Sequence, residues 1–69
     1  MDLKMLGKKI KTARKAAGLT QGQLAVKVQT TKSVISEYEN GNRNPSFEVL
    51  SKLATALNCN LRIELDPKE

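Results

Sequence analysis

The side chains of this 69-residue chain that could do chemistry are mainly lysines and arginines. Residues 1–45 hold nine Lys or Arg against three Asp or Glu, a net charge of +6, whereas residues 46–69 hold three against four, a net charge of −1. Clustered cationic groups bind polyanions, so this asymmetry predicts a polyanionic partner at one end of the molecule. A soluble domain with extra surface lysines is the alternative that composition leaves open.

Catalytic and metal-binding groups are scarce. The chain has no His and a single cysteine, Cys59, which leaves no nucleophile–base pair and no zinc ligand set, so we expect neither enzymatic activity nor a cofactor. A lone cysteine forms no intrachain disulfide and fits a reducing compartment; we expect it to be a small buried or half-buried residue. With no apolar run near the roughly 20 residues that span a bilayer and no signal peptide, we expect a cytoplasmic protein.

A cluster of short polar side chains lies in the stretch VQTTKSVI, residues 28–35. Both flanks have helical periodicity, and the phase fits one long helix as well as two helices separated by a turn. Two observations favour the turn. Thr is a mediocre helix former but a good N-cap. An unbroken helix over residues 20–40 would be roughly 30 Å long, which is too long to pack well in so small a domain. We therefore predict a helix that begins near Thr31, with Lys32 and Ser33 in its first turn.

The rest of the chain predicts further helices around that pair. Apolar residues at helical spacing predict a first helix over about residues 3–17, ended by Gly18. Residues 20–23 have the pattern of a capping box for a second helix. Turn-forming residues over 40–45 precede a last helix, for which Ser46 is the N-cap. The residues expected in the core are Leu24, Val28, Ile35, Leu50, Leu53 and Leu57.

The last segment changes period. Residues 61–66 alternate apolar and polar side chains, the signature of a half-buried strand, and no second strand-like run offers a partner. Antiparallel pairing with a second copy about Ile63 would set Arg62 opposite Glu64 of the partner subunit, a favourable cross-strand pair. We predict a homodimer whose interface includes Leu61, Arg62, Ile63, Glu64 and Leu65. A strand packed on its own helices, or a frayed tail, is the alternative.

Residues from about 6 to 57 resemble the lambda-repressor/Cro (XRE) family of helix-turn-helix proteins. The matching features are Arg14, Leu19-Thr20-Gln21, Leu24-Ala25, Ser33, Ile35-Ser36, Tyr38-Glu39-Asn40-Gly41, Pro45 and residues 50–57. The chain departs from the family at Gln29, where Gly is common, and at Thr30, where an aliphatic residue is common. A non-Gly residue in the left-handed region costs about 1 kcal/mol, so the turn is expected to be slightly strained.

The resemblance implies a mainly α, lambda-repressor-like bundle of four to five helices. Residues 1–58 would form the helix-turn-helix domain, and residues 59–69 the strand and tail used for dimerisation. In the family, the helix that begins near Thr31 enters the major groove. Carried over position by position, the DNA base contacts are Thr31, Lys32, Ser33, Ser36 and Glu37. The DNA phosphate contacts are Thr20, Gln21, Asn40, Asn42, Arg43 and Asn44. Arg14 and Glu39 match an internal ion pair. Ordinary solvated helix or turn residues are the alternative for each DNA contact.

The function implied is sequence-specific binding of double-stranded DNA by a homodimeric transcriptional repressor that reads a palindromic operator. Such a protein would be bacterial or phage-encoded and associated with the nucleoid. The strand after the helical domain also resembles HipB-type antitoxins, which repress their own operon and bind a toxin protein. A third alternative is an interaction adaptor that keeps the fold without reading DNA, and that would lack a steep salt dependence of duplex binding.

Overall fold

A computed structural model describes residues 2–59 of the chain. Within this range lie four helices: α1 (Leu3–Ala16), α2 (Gln21–Lys27), α3 (Lys32–Glu39) and α4 (Phe47–Ala56). The mainly α bundle is confirmed, and so is the break between α2 and α3. The predicted strand and the dimer contacts over residues 61–65 lie outside the described residues, and the boundary between residues 58 and 59 stays a prediction. Because α1 and α2 both pack on α3, that helix is held from two sides.

Each helix begins at a residue whose side chain accepts a hydrogen bond from the first turn. The four N-caps are Asp2, Thr20, Thr31 and Ser46. The predicted capping box is confirmed: the Gln23 amide donates to Thr20 Oγ1 at 3.0 Å, and the Thr20 amide donates to Gln23 Oε1 at 2.9 Å. An N-cap of this kind contributes about 1 kcal/mol, which matters for helices as short as α2 and α3.

All four helices end in the same backbone arrangement. After each C-cap comes one residue with positive φ; these residues are Gly18, Gln29, Gly41 and Asn58. At the end of α2, the Gln29 amide donates to the Val26 carbonyl at 3.3 Å, and the Thr30 amide donates to the Ala25 carbonyl at 2.9 Å. This pair of bonds is the Schellman motif. Gly and Asn adopt its left-handed conformation at little cost, whereas Gln29, with φ of 60°, carries the predicted strain between α2 and α3.

The core is formed by buried side chains from all four helices. Its buried apolar residues are Ile10, Leu24, Ala25, Val28, Ile35, Tyr38, Leu53 and Leu57. Five of the six expected core residues are therefore buried, and Leu50 packs against this cluster while partly exposed. One expectation is wrong: Cys59 is exposed rather than buried or half-buried, because it follows the last turn of α4. The first helix ends one residue earlier than predicted, and Ala17 is its exposed C-cap.

Gly7 fixes how closely α1 approaches α3. A Cβ atom at this position would lie 2.5 Å from the backbone carbonyl oxygens of Tyr38 and of Glu39. Only glycine therefore permits this contact, and a larger residue would push α1 away from the C-terminal end of α3.

The helices of residues 2–59 are each too short or too polar to cross a membrane.

Candidate nucleic-acid interface

One side of α3 is buried and the other faces solvent. Ile35 and Tyr38 lie in the core, and Glu39 is also buried. The predicted base contacts lie on the remaining side of the helix or at its start. Thr31, Lys32 and Ser33 are exposed, whereas Ser36 and Glu37 are half-buried. Their contact with DNA stays a prediction, but the fold presents them as one surface.

Thr31 has a structural task in addition to the predicted one. Its hydroxyl oxygen accepts a hydrogen bond from the Val34 amide at 3.2 Å and thereby caps α3. Because one lone pair of the hydroxyl is used in this way, only its proton, its other lone pair and its methyl group remain for a base edge. Lys32 and Ser33 follow the cap directly, so the cap fixes their positions in the first turn of α3.

Arg14 and Glu39 form a buried ion pair between α1 and α3. Arg14 Nε lies 2.6 Å from Glu39 Oε2, and Nη2 lies 3.2 Å from Oε1. The remaining nitrogen, Nη1, donates to the Leu19 carbonyl at 2.7 Å, which ties the α1–α2 connection to the same group. A guanidinium that makes two hydrogen bonds to one carboxylate forms a contact that is both strong and directional. The pair thus holds the C-terminal end of the helix that carries the predicted base contacts.

Gln21 belongs to this network, which the sequence did not indicate. Its side-chain Nε2 donates to Glu39 Oε1 at 3.1 Å. The side chain is therefore occupied within the protein, which leaves the backbone amide of Gln21 for the predicted phosphate contact. The amides of Gln21 and Gly22 precede the first intrahelical hydrogen bond of α2, and the capping box uses neither of them. Both residues line a shallow depression together with Thr20 and Lys32.

The loop after α3 carries the other predicted phosphate contacts. Asn40, Asn42, Arg43 and Asn44 are all exposed. Two of them are bonded to predicted base contacts. Arg43 Nε lies 2.7 Å from Glu37 Oε2, with both side chains about half exposed, and Asn40 Nδ2 donates to Ser36 Oγ at 3.3 Å. The i, i+4 spacing on a helix could have indicated the second pair. The first joins residues six positions apart across the turn at Gly41, which no helical spacing predicts.

The chemistry available at this surface is hydrogen bonding and charge. Residues 2–59 contain no group of His, Cys, Asp and Glu that could hold a metal ion. Ammonium, guanidinium, amide and hydroxyl groups lie on α3 and on the loops to either side of it, and they are the groups that contact base edges and phosphates in protein–DNA complexes.

Comparisons with known proteins agree with this geometry. A family model described as helix-turn-helix matches residues 10–63. The competence pilus inhibition repressor of Acinetobacter baylyi is 45% identical over 56 residues, which cover 81% of this chain and 51% of that protein. Multiprotein-bridging factor 1 of Candida albicans is 44% identical over 57 residues, which cover 83% of this chain and 38% of that protein. The chain thus spans about half of these relatives or less.

Solved structures show the same arrangement of helices. The restriction-modification controller protein C.AhdI from Aeromonas hydrophila superposes with a TM-score of 0.83 at 37% identity, and the alignment covers 86% of each chain. The likeness therefore extends over most of the chain and includes both helices of the predicted pair.

Proposed function

The chain belongs to the XRE family of helix-turn-helix proteins, whose members are DNA-binding transcription regulators, and on that premise we propose that it is a homodimeric repressor that reads a palindromic operator. The observation that supports this most directly is the presentation of α3. Its apolar side is buried against α1 and α2, its start is fixed by the Thr31 cap, and its polar side chains other than Glu39 lie on the side that faces solvent. A helix presented in this way fits the major groove of B-DNA.

The proposed reading uses the chemistry of each side chain on α3. Lys32 donates to O6 and N7 of guanine, and Glu37 accepts from N4 of cytosine. Ser33 and Ser36 are short enough to accept from or donate to either kind of base edge. The loop over residues 40–44 and the start of α2 hold the phosphates to either side, which fixes the depth and direction of α3 in the groove.

A homodimer would allow the protein to contact two half-sites of one operator. Two recognition helices bind successive major grooves when they lie about 34 Å apart, and the second contact multiplies the affinity of the first. The sequence of residues 61–65 supports dimerisation because its charges and apolar face are self-complementary about Ile63. Removal of residues 60–69 should then yield monomers in sedimentation velocity, and a truncated chain that still sediments as a dimer would contradict this part of the proposal.

Selection of bound duplexes from a random pool tests the proposal as a whole. The full chain should enrich a motif with two inverted half-sites. Lys32→Ala and Ser33→Ala should relax the preference at particular base pairs, whereas Lys27→Ala, an exposed lysine on α2, should leave the motif unchanged. Enrichment of no motif by the intact chain, or identical motifs from all variants, would refute sequence-specific reading through α3.

A second candidate function is that of an adaptor between other proteins. It is favoured by the likeness to a multiprotein-bridging factor, whose name describes the bridging of proteins. An adaptor that does not read DNA would bind duplex weakly and without a steep dependence on salt, which separates it from the repressor. The toxin-binding alternative stays a prediction, and co-purification with a protein encoded by an adjacent gene would test it.

A further inference from the structure

Four lysines form a continuous stripe along α1. Lys4, Lys8, Lys11 and Lys15 are all exposed, and on a helix with 100° between residues they fall within a sector of about 60°. The stripe is about 16 Å long, since the eleven steps from Lys4 to Lys15 each rise about 1.5 Å. The ion pairs formed within residues 2–59 engage Arg14, Arg43 and Lys52 and none of these four lysines. We call this surface the α1 lysine stripe.

The α1 lysine stripe lies beside the edge of α1 that packs on α3. The helix turns Gly7 and Arg14 toward the C-terminal end of α3, as their contacts with Tyr38 and Glu39 show. On the helical circumference the stripe begins next to these two residues, on the side away from the apolar face that holds Ile10. It therefore borders the helix that carries the predicted base contacts, rather than the core.

Each end of the stripe adjoins a predicted phosphate-binding segment. At one end, a Cβ atom at Gly41 would lie only 3.0 Å from the Lys4 Cα atom, so Lys4 touches the loop over residues 40–44. At the other end, the Lys15 carbonyl accepts a hydrogen bond from the Gly18 amide at 3.0 Å, two residues before Thr20. The four charges thus span the distance between the two segments that are predicted to hold phosphates.

We propose that the α1 lysine stripe binds the sugar-phosphate backbone of the duplex beyond the bases that α3 reads. The inference rests on the proposed DNA binding and extends its footprint. A length of about 16 Å along the DNA axis corresponds to about five phosphates of one strand, which is enough for one phosphate per lysine. Lysine suits the task because its ammonium group is a compact point charge that needs no particular base or bond angle. The contact adds affinity that does not depend on sequence.

Two triple variants with equal charge test the proposal. Lys8→Gln/Lys11→Gln/Lys15→Gln removes most of the stripe. Lys9→Gln/Lys27→Gln/Lys52→Gln removes three exposed lysines elsewhere: Lys9 lies about 130° around α1 from the stripe, and the other two line a depression between α2 and α4. Both triples lower the formal net charge of the chain from +5 to +2, so a difference between them reports position and not total charge.

The measurement is the salt dependence of binding to a random-sequence duplex by the full chain. Each lost phosphate contact should reduce the slope of log Kobs against log salt by about 0.9, so the stripe triple should lose up to about 2.7 and the control triple much less. Equal losses in both triples, or an unchanged slope in the stripe triple, would overturn the proposal. If the stripe triple keeps its slope but no longer binds phosphatidylserine vesicles, the stripe binds a lipid surface instead of DNA.

Two further controls keep the outcome clear. Lys8→Arg/Lys11→Arg/Lys15→Arg keeps the charge and should keep the slope; if the Gln triple does not fold, Lys8→Gln/Lys11→Gln should lose about 1.8. Because the duplex is random, the result does not depend on base reading. A reduced slope in a protein that selects no motif would refute the proposed repressor and support the stripe. If the intact chain selects a motif and the slope of the Gln triple is unaltered, the proposed repressor is supported and the proposed role of the stripe is refuted.

Discussion

Replacement of Arg14 by methionine should remove most of the stability of the helical domain. The side chain of Glu39 is 1% exposed and that of Arg14 is 9% exposed, so water cannot replace a lost partner. In Arg14→Met, Glu39 keeps only the hydrogen bond from the Gln21 side chain, and the Leu19 carbonyl loses its donor. Removal of one member of a buried ion pair costs about 3–5 kcal/mol, because the other charge stays buried and uncompensated.

That cost is similar to the entire free energy of unfolding of so small a domain, which rarely exceeds about 3–5 kcal/mol. Since 1 kcal/mol shifts the thermal midpoint of a domain of this size by about 4–8 °C, the midpoint of Arg14→Met should fall by about 12 °C or more. Thermal and urea denaturation followed by far-UV circular dichroism measure the loss. All variants must be compared at one protein concentration, because self-association would add to the apparent stability.

Two comparison variants isolate the effect of the buried charge. Arg14→Met/Glu39→Leu removes both charges and should recover most of the lost stability, because an apolar replacement of a buried pair is often neutral. Arg43→Met breaks the exposed pair with Glu37, and should cost less than about 1 kcal/mol. If Arg14→Met costs less than about 1 kcal/mol, or if the double variant is no more stable than the single one, the pair is not held in the buried geometry described above.

The remaining predictions concern backbone fit and surface charge. Gly7→Ala should lower the free energy of unfolding by about 1–3 kcal/mol through overpacking, whereas Gly22→Ala, whose Cβ would meet nothing nearer than 3.9 Å, should not; urea denaturation compares the two. Gln29→Gly should raise the free energy of unfolding by up to about 1 kcal/mol in the same assay, because glycine adopts positive φ without strain; a loss of stability would contradict the strained turn. Glu37→Gln should release Arg43 and remove a charge that repels phosphate, so binding to a random duplex should tighten; weaker binding in fluorescence anisotropy would show that the pair positions Arg43 for contact.

The elements of the fold that the sequence predicted are those determined by local chemistry. The Thr20 capping box, the Ser46 cap and the end of α1 at Gly18 each depend on residues within one helical turn of each other. Such hydrogen bonds join residues that are close in the sequence, so a short pattern specifies them. The same locality explains why the sequence predicts the start of α3 at Thr31, although the helical phase does not indicate it.

The features that the sequence did not predict depend on contacts between distant residues. The packing of Gly7 on the carbonyls of α3, the bond from Gln21 to Glu39 and the pairing of Arg43 with Glu37 all join separate elements or cross a turn. Each of these residues has an ordinary role in isolation, as a helix residue or a predicted DNA contact. Their additional contacts depend on how the helices pack in the folded chain, which the sequence pattern does not specify. Arg14 with Glu39 is different, because the family resemblance implies that pair from the sequence alone.

The turn between α2 and α3 shows why periodicity could not decide the architecture of this surface. Leu24, Val28 and Ile35 would share one face of an unbroken helix, and in the folded chain all three are buried in one core. The burial pattern is thus the same for both arrangements. What separates them is the Schellman motif closed by the Thr30 amide, followed at once by the Thr31 cap. Because these two sets of hydrogen bonds determine where α3 begins, they also determine that Lys32 and Ser33 occupy its first turn, where side chains of a recognition helix reach the bases.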